Sequence, residues 1–158
     1  MRSKPATIRK ITPDPIYHDV VISKLINRIM KDGKRAVAQK QIYQTLDLLK
    51  EKTGNDPLET LLAALENIKP QMEVRARRIG GAAYQVPSPV RTQRKESLAI
   101  RWLILAARSR PSSEFHTFSE KLAAELIDAL NNAGGAIKKK LDTHRMAEAN
   151  KAFAHFRW

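Results

Sequence analysis

The side chains equipped for chemistry in this chain are its cations, and the densest cluster lies between Pro70 and Lys95. Arg75, Arg77, Arg78, Arg91 and Arg94 flank or line the run Val74-Arg75-Ala76-Arg77-Arg78-Ile79-Gly80-Gly81-Ala82-Ala83-Tyr84. A guanidinium presents a planar fork of donors matched to phosphate and carboxylate oxygens, so the chemistry this cluster offers is anion recognition. Mixed Lys and Glu would read as an ordinary solvated surface; arginine-only strands do not. The ingredients of catalysis are missing from the pattern. His18, His116, His144 and His155 stand at no metal-ligand spacing. There is no cysteine, hence no thiolate nucleophile, disulfide or thiolate metal site. Gly33-Lys34 lacks the upstream glycine, the preceding strand and the following Ser or Thr of a phosphate loop. No nucleophile–base pair is legible, so the expectation is a binding protein without catalytic residues, metal or cofactor.

The charge balance agrees. The 158 residues carry 29 Lys and Arg against 16 Asp and Glu, a net +13, which is the footprint of a nucleic-acid or anionic-surface partner. The charge is segregated: +4 over residues 1–10, +1 over 11–71, +7 over 72–110, −3 over 111–136 and +4 over 137–158. Solubility alone would spread the surplus more evenly. A hydrophobic share of 42% with only 6% aromatics suits a small aliphatic core under a charged surface, in one domain over residues 1–158. No apolar run approaches the roughly 18 residues of a membrane span. The start of the chain has no apolar stretch of a secretory signal.

Helical periodicity positions most of these cations. Residues 1–18 read as an extended basic arm, with Arg2, Lys4, Arg9 and Lys10 among prolines. Asp19 caps a first helix to about Lys31, with Ile22, Leu25, Ile26, Ile29 and Met30 as its apolar stripe and Lys24, Arg28 and Lys31 on another face. Asp32-Gly33 breaks it and places Lys34 and Arg35 at a corner before a second helix to about Lys52. Asp56-Pro57 opens a third, with Glu59 completing a capping box and Leu58, Leu61, Leu62, Leu65 and Ile68 inside. The Gly80-Gly81 pair between β-compatible segments predicts a hairpin over residues 72–91, with Arg75 and Arg77 on one face and Arg78 on the other. Because a lone two-stranded hairpin is marginal in water, it is expected to protrude as an arm toward a polyanion. Thr92 caps a fourth helix to about Arg108, with Leu98, Trp102, Leu105 and Ala106 inward and Arg94, Arg101 and Arg108 in one row beside Arg91 and Lys95. Thr117 and Glu120 form a capping box for a fifth, whose acidic residues should face away from the polyanion or toward a protein neighbour. After Gly134-Gly135 a sixth starts with Lys138, Lys139 and Lys140, its apolar side being Ile137, Leu141 and Met146; residues 149–158 form a tail. The predicted class is therefore mainly all-α: about six helices in one bundle-like domain, with a protruding β-hairpin arm between the third and fourth helices.

Three binding readings fit these residues: RNA, through several basic surfaces near Tyr84, Phe153, Phe156 and Trp158; DNA bending, with Pro87 or Pro89 as a minor-groove wedge; or a helical scaffold whose basic face meets an acidic partner or membrane. Counterion release favours nucleic acid for dispersed cations.

The run from Pro70 to Pro87 closely resembles the hairpin of the small-subunit ribosomal protein seven family. The Asp19–Ile42 stretch with its Gly33-Lys34-Arg35 corner, Leu98-Ala-Ile-Arg-Trp102, and the stretch from Asp142 to Trp158 are similar to that family too. The chain departs from its common pattern at Ser88-Pro89 and over Ser109–Phe115. The resemblance is to the bacterial or organelle type, and implies a cytoplasmic or organelle ribosome. It implies a structural protein, no enzyme, that binds small-subunit ribosomal RNA directly and nucleates the head, the 3′ major domain. The basic residues of the arm, the corner, the first, fourth and sixth helices, and Arg75 would contact ribosomal RNA. Arg77, Arg78, Gly80, Gly81 and Tyr84 would lie near exit-site transfer RNA and messenger RNA. Small-subunit proteins nine and eleven would be neighbours, with no membrane or small-molecule substrate.

Overall fold

The computed structural model describes residues 9–156, so Arg2 and Lys4 of the expected arm, and Arg157 and Trp158 of the tail, lie outside the described residues. Six α-helices, a two-stranded antiparallel sheet and a short 3-10 helix follow one another: α1 (Val20–Ile29), α2 (Arg35–Thr53), α3 (Pro57–Ile68), β1 (Met72–Ile79), β2 (Ala82–Pro89), α4 (Thr92–Ser109), α5 (Phe118–Leu130), α6 (Gly134–Ala149) and the 3-10 segment Lys151–Phe156. The hairpin sits between α3 and α4, as the sequence predicts.

The punctuation is largely the predicted one. Asp19 caps α1 by accepting from the Val21 amide at 2.5 Å, and the corner is turned by Asp32 and Gly33 in the left-handed region, φ +51° and +72°. Thr117 and Glu120 close a reciprocal capping box. Two details differ. Asp56 accepts from the Glu59 amide at 3.1 Å, but the box is not completed by a return bond from the Glu59 side chain. Thr92 is the first helical residue of α4, and Arg91 occupies the cap position without a side-chain cap.

The core is aliphatic, and α4 and α5 run through its middle: α5 packs on α2, α3, α4 and α6, while α4 also meets α1, α3 and α6. Ile22, Leu49, Leu61, Leu103, Leu122 and Leu126 are fully buried, and Trp102 is a core residue. Surrounded on several sides, α4 buries a wide arc of Leu98, Ala99, Ile100, Trp102, Leu103, Ile104 and Ala107. Leu105, expected inside, is 55% exposed. It stands four residues from Arg101 and three from Arg108, on the arginine row itself. Leu62 at the edge of α3 is likewise exposed. The expected apolar side of α6 is also corrected: Leu141 and Met146 are exposed, and the helix packs through Ala136, Ile137, Thr143 and Ala147. Small side chains let it approach α4, where Ala106 Cβ lies 3.2 Å from the position a Gly135 Cβ would take.

Gly80 and Gly81, φ +56° and +89°, make the two-residue turn, and the ladder runs from Ile79↔Ala82 to Met72↔Pro89, through Ser88 and Pro89. The hairpin is more supported than a free arm. Met72 and Pro87 share a pocket with His144, Ala147 and Lys151, and Tyr84 packs on Phe153 and Phe156 with ring centroids 5.2 and 5.8 Å apart. Its longest run of consecutive exposed residues is the tip, Gly80 to Ala83. The N-terminal stretch is likewise less open than its prolines suggest. Asp14 is fully buried and accepts from the Ile16 and Tyr17 amides and from the Tyr43 hydroxyl at 2.9 Å, pinning residues 14–17 to α2. Burial, reinforced by that bond to Asp14, pushes the Tyr43 hydroxyl pKa up.

Candidate nucleic-acid interface

α1 and α4 pack side by side, and three grooves lined with cations meet α4 at successive points, near Arg94, between Gln93 and Ile100, and at Arg108. The first gathers Arg9, Lys24 and Arg28 over Val20 and Ile100. Lys24 is not free there: its ammonium is held by both oxygens of Glu96, at 2.8 and 2.9 Å. The second gathers Lys31, Lys34 and Arg108 around Val37 and Phe118. Arg108 donates to the Ile29 carbonyl at 3.2 Å, so it also closes the C-terminal end of α1. Lys10 and Arg35 are exposed near these ends, Arg101 is exposed on α4, and Lys95 is half-buried.

The third groove, about 550 Å³, lies where the hairpin joins α4 and is lined by Arg75, Ser88, Pro89, Arg91 and Arg94. Behind it is a residue the sequence reading passed over. Glu73, 6% exposed, binds Arg75 through Oε1 (Nε at 2.7 Å) and Arg94 through Oε2 (Nε at 2.9 Å). Burial would raise the pKa of this carboxyl, but the hydrogen bonds and charges of Arg94 and Arg75 outweigh it and hold the pKa below the usual range. The signal was there: an acid two residues before Arg75 shares its strand face.

Other predicted residues are placed elsewhere. Lys138 and Lys139 are exposed on α6, outside the three grooves, and Lys140 donates to the Asn67 carbonyl at 2.6 Å, tying α6 to the end of α3. Arg78 is exposed and Arg77 half-buried near the hairpin tip, while the Tyr84 ring is engaged with the tail. Pro87 is buried at the hairpin base, which removes it as a DNA wedge; Pro89 is exposed but pairs with Met72 beside α4, at the opposite end from the tip. His144 accepts from the Gln71 amide through Nε2 at 3.0 Å and anchors the hairpin base. Among the described residues, no group of His, Asp or Glu is arranged to hold a metal ion, and no helix is long and apolar enough to cross a membrane.

The acids of α5 do not simply face away, as expected. Glu125, 1% exposed, takes Arg110 on Oε2 (Nε at 2.8 Å) and the Ala136 amide on Oε1 at 2.9 Å; Asp128 takes the same guanidinium. Glu120 is engaged in the helix cap.

A helical body with cation-lined grooves along one central helix and a buttressed arginine hairpin defines a polyanion-binding protein. The family model described as ribosomal protein S7p/S5e matches residues 1–151. Curated relatives named small ribosomal subunit protein uS7 are 59% identical over 157 residues in Caldicellulosiruptor bescii, covering 99% of both chains, and 58% identical over 158 residues in Thermosipho africanus, covering 100% of both. A third, in a Sulfurihydrogenibium species, is 57% identical over 157 residues. The chain belongs to the ribosomal protein S7p/S5e family. It is accordingly a ribosome-associated structural constituent of the small subunit, with the RNA binding general to that family, and it is not an enzyme.

Proposed function

We propose that this chain binds small-subunit ribosomal RNA directly through the α1–α4 face and the hairpin base, and there nucleates the head, the 3′ major domain, on cytoplasmic ribosomes. The observation that carries the reading is the alignment of three cation-lined grooves along α4, spanning Arg75, Arg91 and Arg94 at one end and Lys31, Lys34 and Arg108 at the other. Such a surface suits shape-directed contact with phosphates and 2′-hydroxyls of a folded junction. The exposed hairpin tip then lies near exit-site transfer RNA and the messenger path, with small-subunit proteins nine and eleven as neighbours of the assembled head. Arm and body are separable by experiment. Replacing Arg77–Tyr84 with a short glycine-containing turn leaves the hairpin base, Glu73 and the α4 grooves in place. In reconstituted subunits this variant should protect head RNA like the wild type and lose exit-site transfer-RNA occupancy. Lost head protection with unchanged occupancy would assign the tip arginines to ribosomal RNA instead.

A further inference from the structure

We propose that Glu73 is a positioning residue that makes the Arg75–Arg91–Arg94 groove selective for the phosphate arrangement of a folded RNA junction over an ordinary duplex. The inference rests on the direct RNA-binding reading above and adds to it the source of selectivity. A groove built for affinity alone would hold no acid, since a carboxylate beside a phosphate site weakens every anion equally. Here the carboxylate is behind the guanidinium groups rather than beside the anion. The Glu73 side chain is 8% exposed, while those of Arg75 and Arg94 are 58% and 48% exposed. Each arginine commits its Nε to Glu73, and Arg75 also brings a terminal nitrogen to within 2.5 Å of it. With both side chains about half exposed, the donors not taken by Glu73 stay accessible to an anion. One arginine comes from β1 and the other from α4, so the clamp also fixes the hairpin base against the helix. A free arginine adapts its rotamer to any phosphate and loses that freedom on binding; a clamped one has lost it beforehand, but only for ligands of matching geometry.

The test is competition binding at one salt concentration. The probes are 3′ major domain RNA and a random-sequence RNA duplex of equal length, with wild type, Glu73→Gln and the double variant Arg75→Lys/Arg94→Lys. Glu73→Gln raises the net charge by one, so charge alone would strengthen both complexes. The expected result is a loss of about tenfold on the domain RNA, from the ordering of two side chains, with duplex binding unchanged or stronger. The lysine double variant keeps the charge, removes the fork geometry, and should lose domain affinity with duplex affinity unchanged; it keeps the test decisive if Glu73→Gln fails to fold. Parallel shifts on both RNAs, or a preference that survives both substitutions, would overturn the role of Glu73 alone. A wild type with no preference between the two RNAs would overturn direct junction binding and this inference with it.

Discussion

The α1–α4 face makes a quantitative claim about salt. Arg28, Lys34 and Arg101 are exposed and have no carboxylate partner among the described residues, unlike Lys24 with Glu96 or Arg94 with Glu73. They are therefore the clean choice for removing phosphate contacts without releasing a buried partner. If each neutralises one phosphate, the triple alanine variant should flatten the plot of log K against log salt by about 2–3, at about 0.7–0.9 per contact. Between 50 and 200 mM salt the wild type should then lose about 20–40-fold more affinity than the variant loses. Stability should hardly change, since exposed substitutions of this kind fall within about 0.5 kcal/mol each; unchanged helix content by circular dichroism checks this. The control is Lys40, Lys50 and Lys52 changed to alanine, three exposed cations of α2 outside the cation-lined grooves. Filter binding to 3′ major domain RNA over that salt range reads both slopes. Equal flattening in the two triples would mean that net charge, not this face, sets affinity. An unchanged slope in the first triple would remove α1 and α4 from the interface.

Glu125→Ala should cost about 1–3 kcal/mol, because it leaves the buried Ala136 amide without its acceptor and the Arg110 guanidinium with Asp128 alone, and chemical denaturation should show it. Gly134→Ala should destabilise as well, its Cβ falling 2.8 Å from Glu125 Oε1 at φ +88°, and the two losses should combine to less than their sum since the first change removes that clash. His144 carries a pH prediction: burial, and then the charge of Lys140, hold its pKa below the ordinary histidine value, and its Nε2 must stay unprotonated to accept from Gln71. On lowering the pH the unfolded chain therefore takes the proton first. Stability from this contact is complete above about pH 6.5 and is lost as pH falls from there through the folded value. The protection factor of the Gln71 amide, its intrinsic exchange rate over the observed one at each pH, should decrease over that fall, and a pH-independent protection factor would refute the assignment.

Much of the fold was legible because its signals are local. Asp19, Asp32-Gly33, Asp56-Pro57, Thr117 with Glu120, and Gly80-Gly81 each act on the backbone within a few residues, and each sits where the sequence placed it. Side-chain orientation was less legible where helices are buried on several sides or packed through alanine. Leu105 lies on a row already carrying Arg101 and Arg108, and hydrophobicity alone misassigned it; α6 packs by Ala136 and Ala147, which carry little periodic signal. Pairings across the fold left no sequence mark at all. Lys24 meets Glu96 across 72 residues, and Tyr43 meets Asp14 across 29. Among the interface candidates, the corner cations and the α4 row were readable from spacing, whereas the partners that immobilise some of them required the packing of α1 and the hairpin against α4.

Those pairings bear on how a chain with 16 acids presents cation-lined grooves. Asp14, Glu73 and Glu125 are buried, and Glu96 and Glu120 are half-buried, each accepting from a named donor of the chain. None of these five is a free carboxylate, so an approaching polyanion meets less repulsion from them than the formal balance suggests. The same acids are not inert: Glu96 reaches from α4 to α1 and Glu73 from the hairpin to α4, and they thereby set where Lys24, Arg75 and Arg94 stand. Cations held in this way lose less conformational entropy on binding than free ones. The acidic residues thus contribute to the interface through geometry, and the cations without partners contribute to it through charge. Salt dependence should report the second group, and discrimination between RNAs the first.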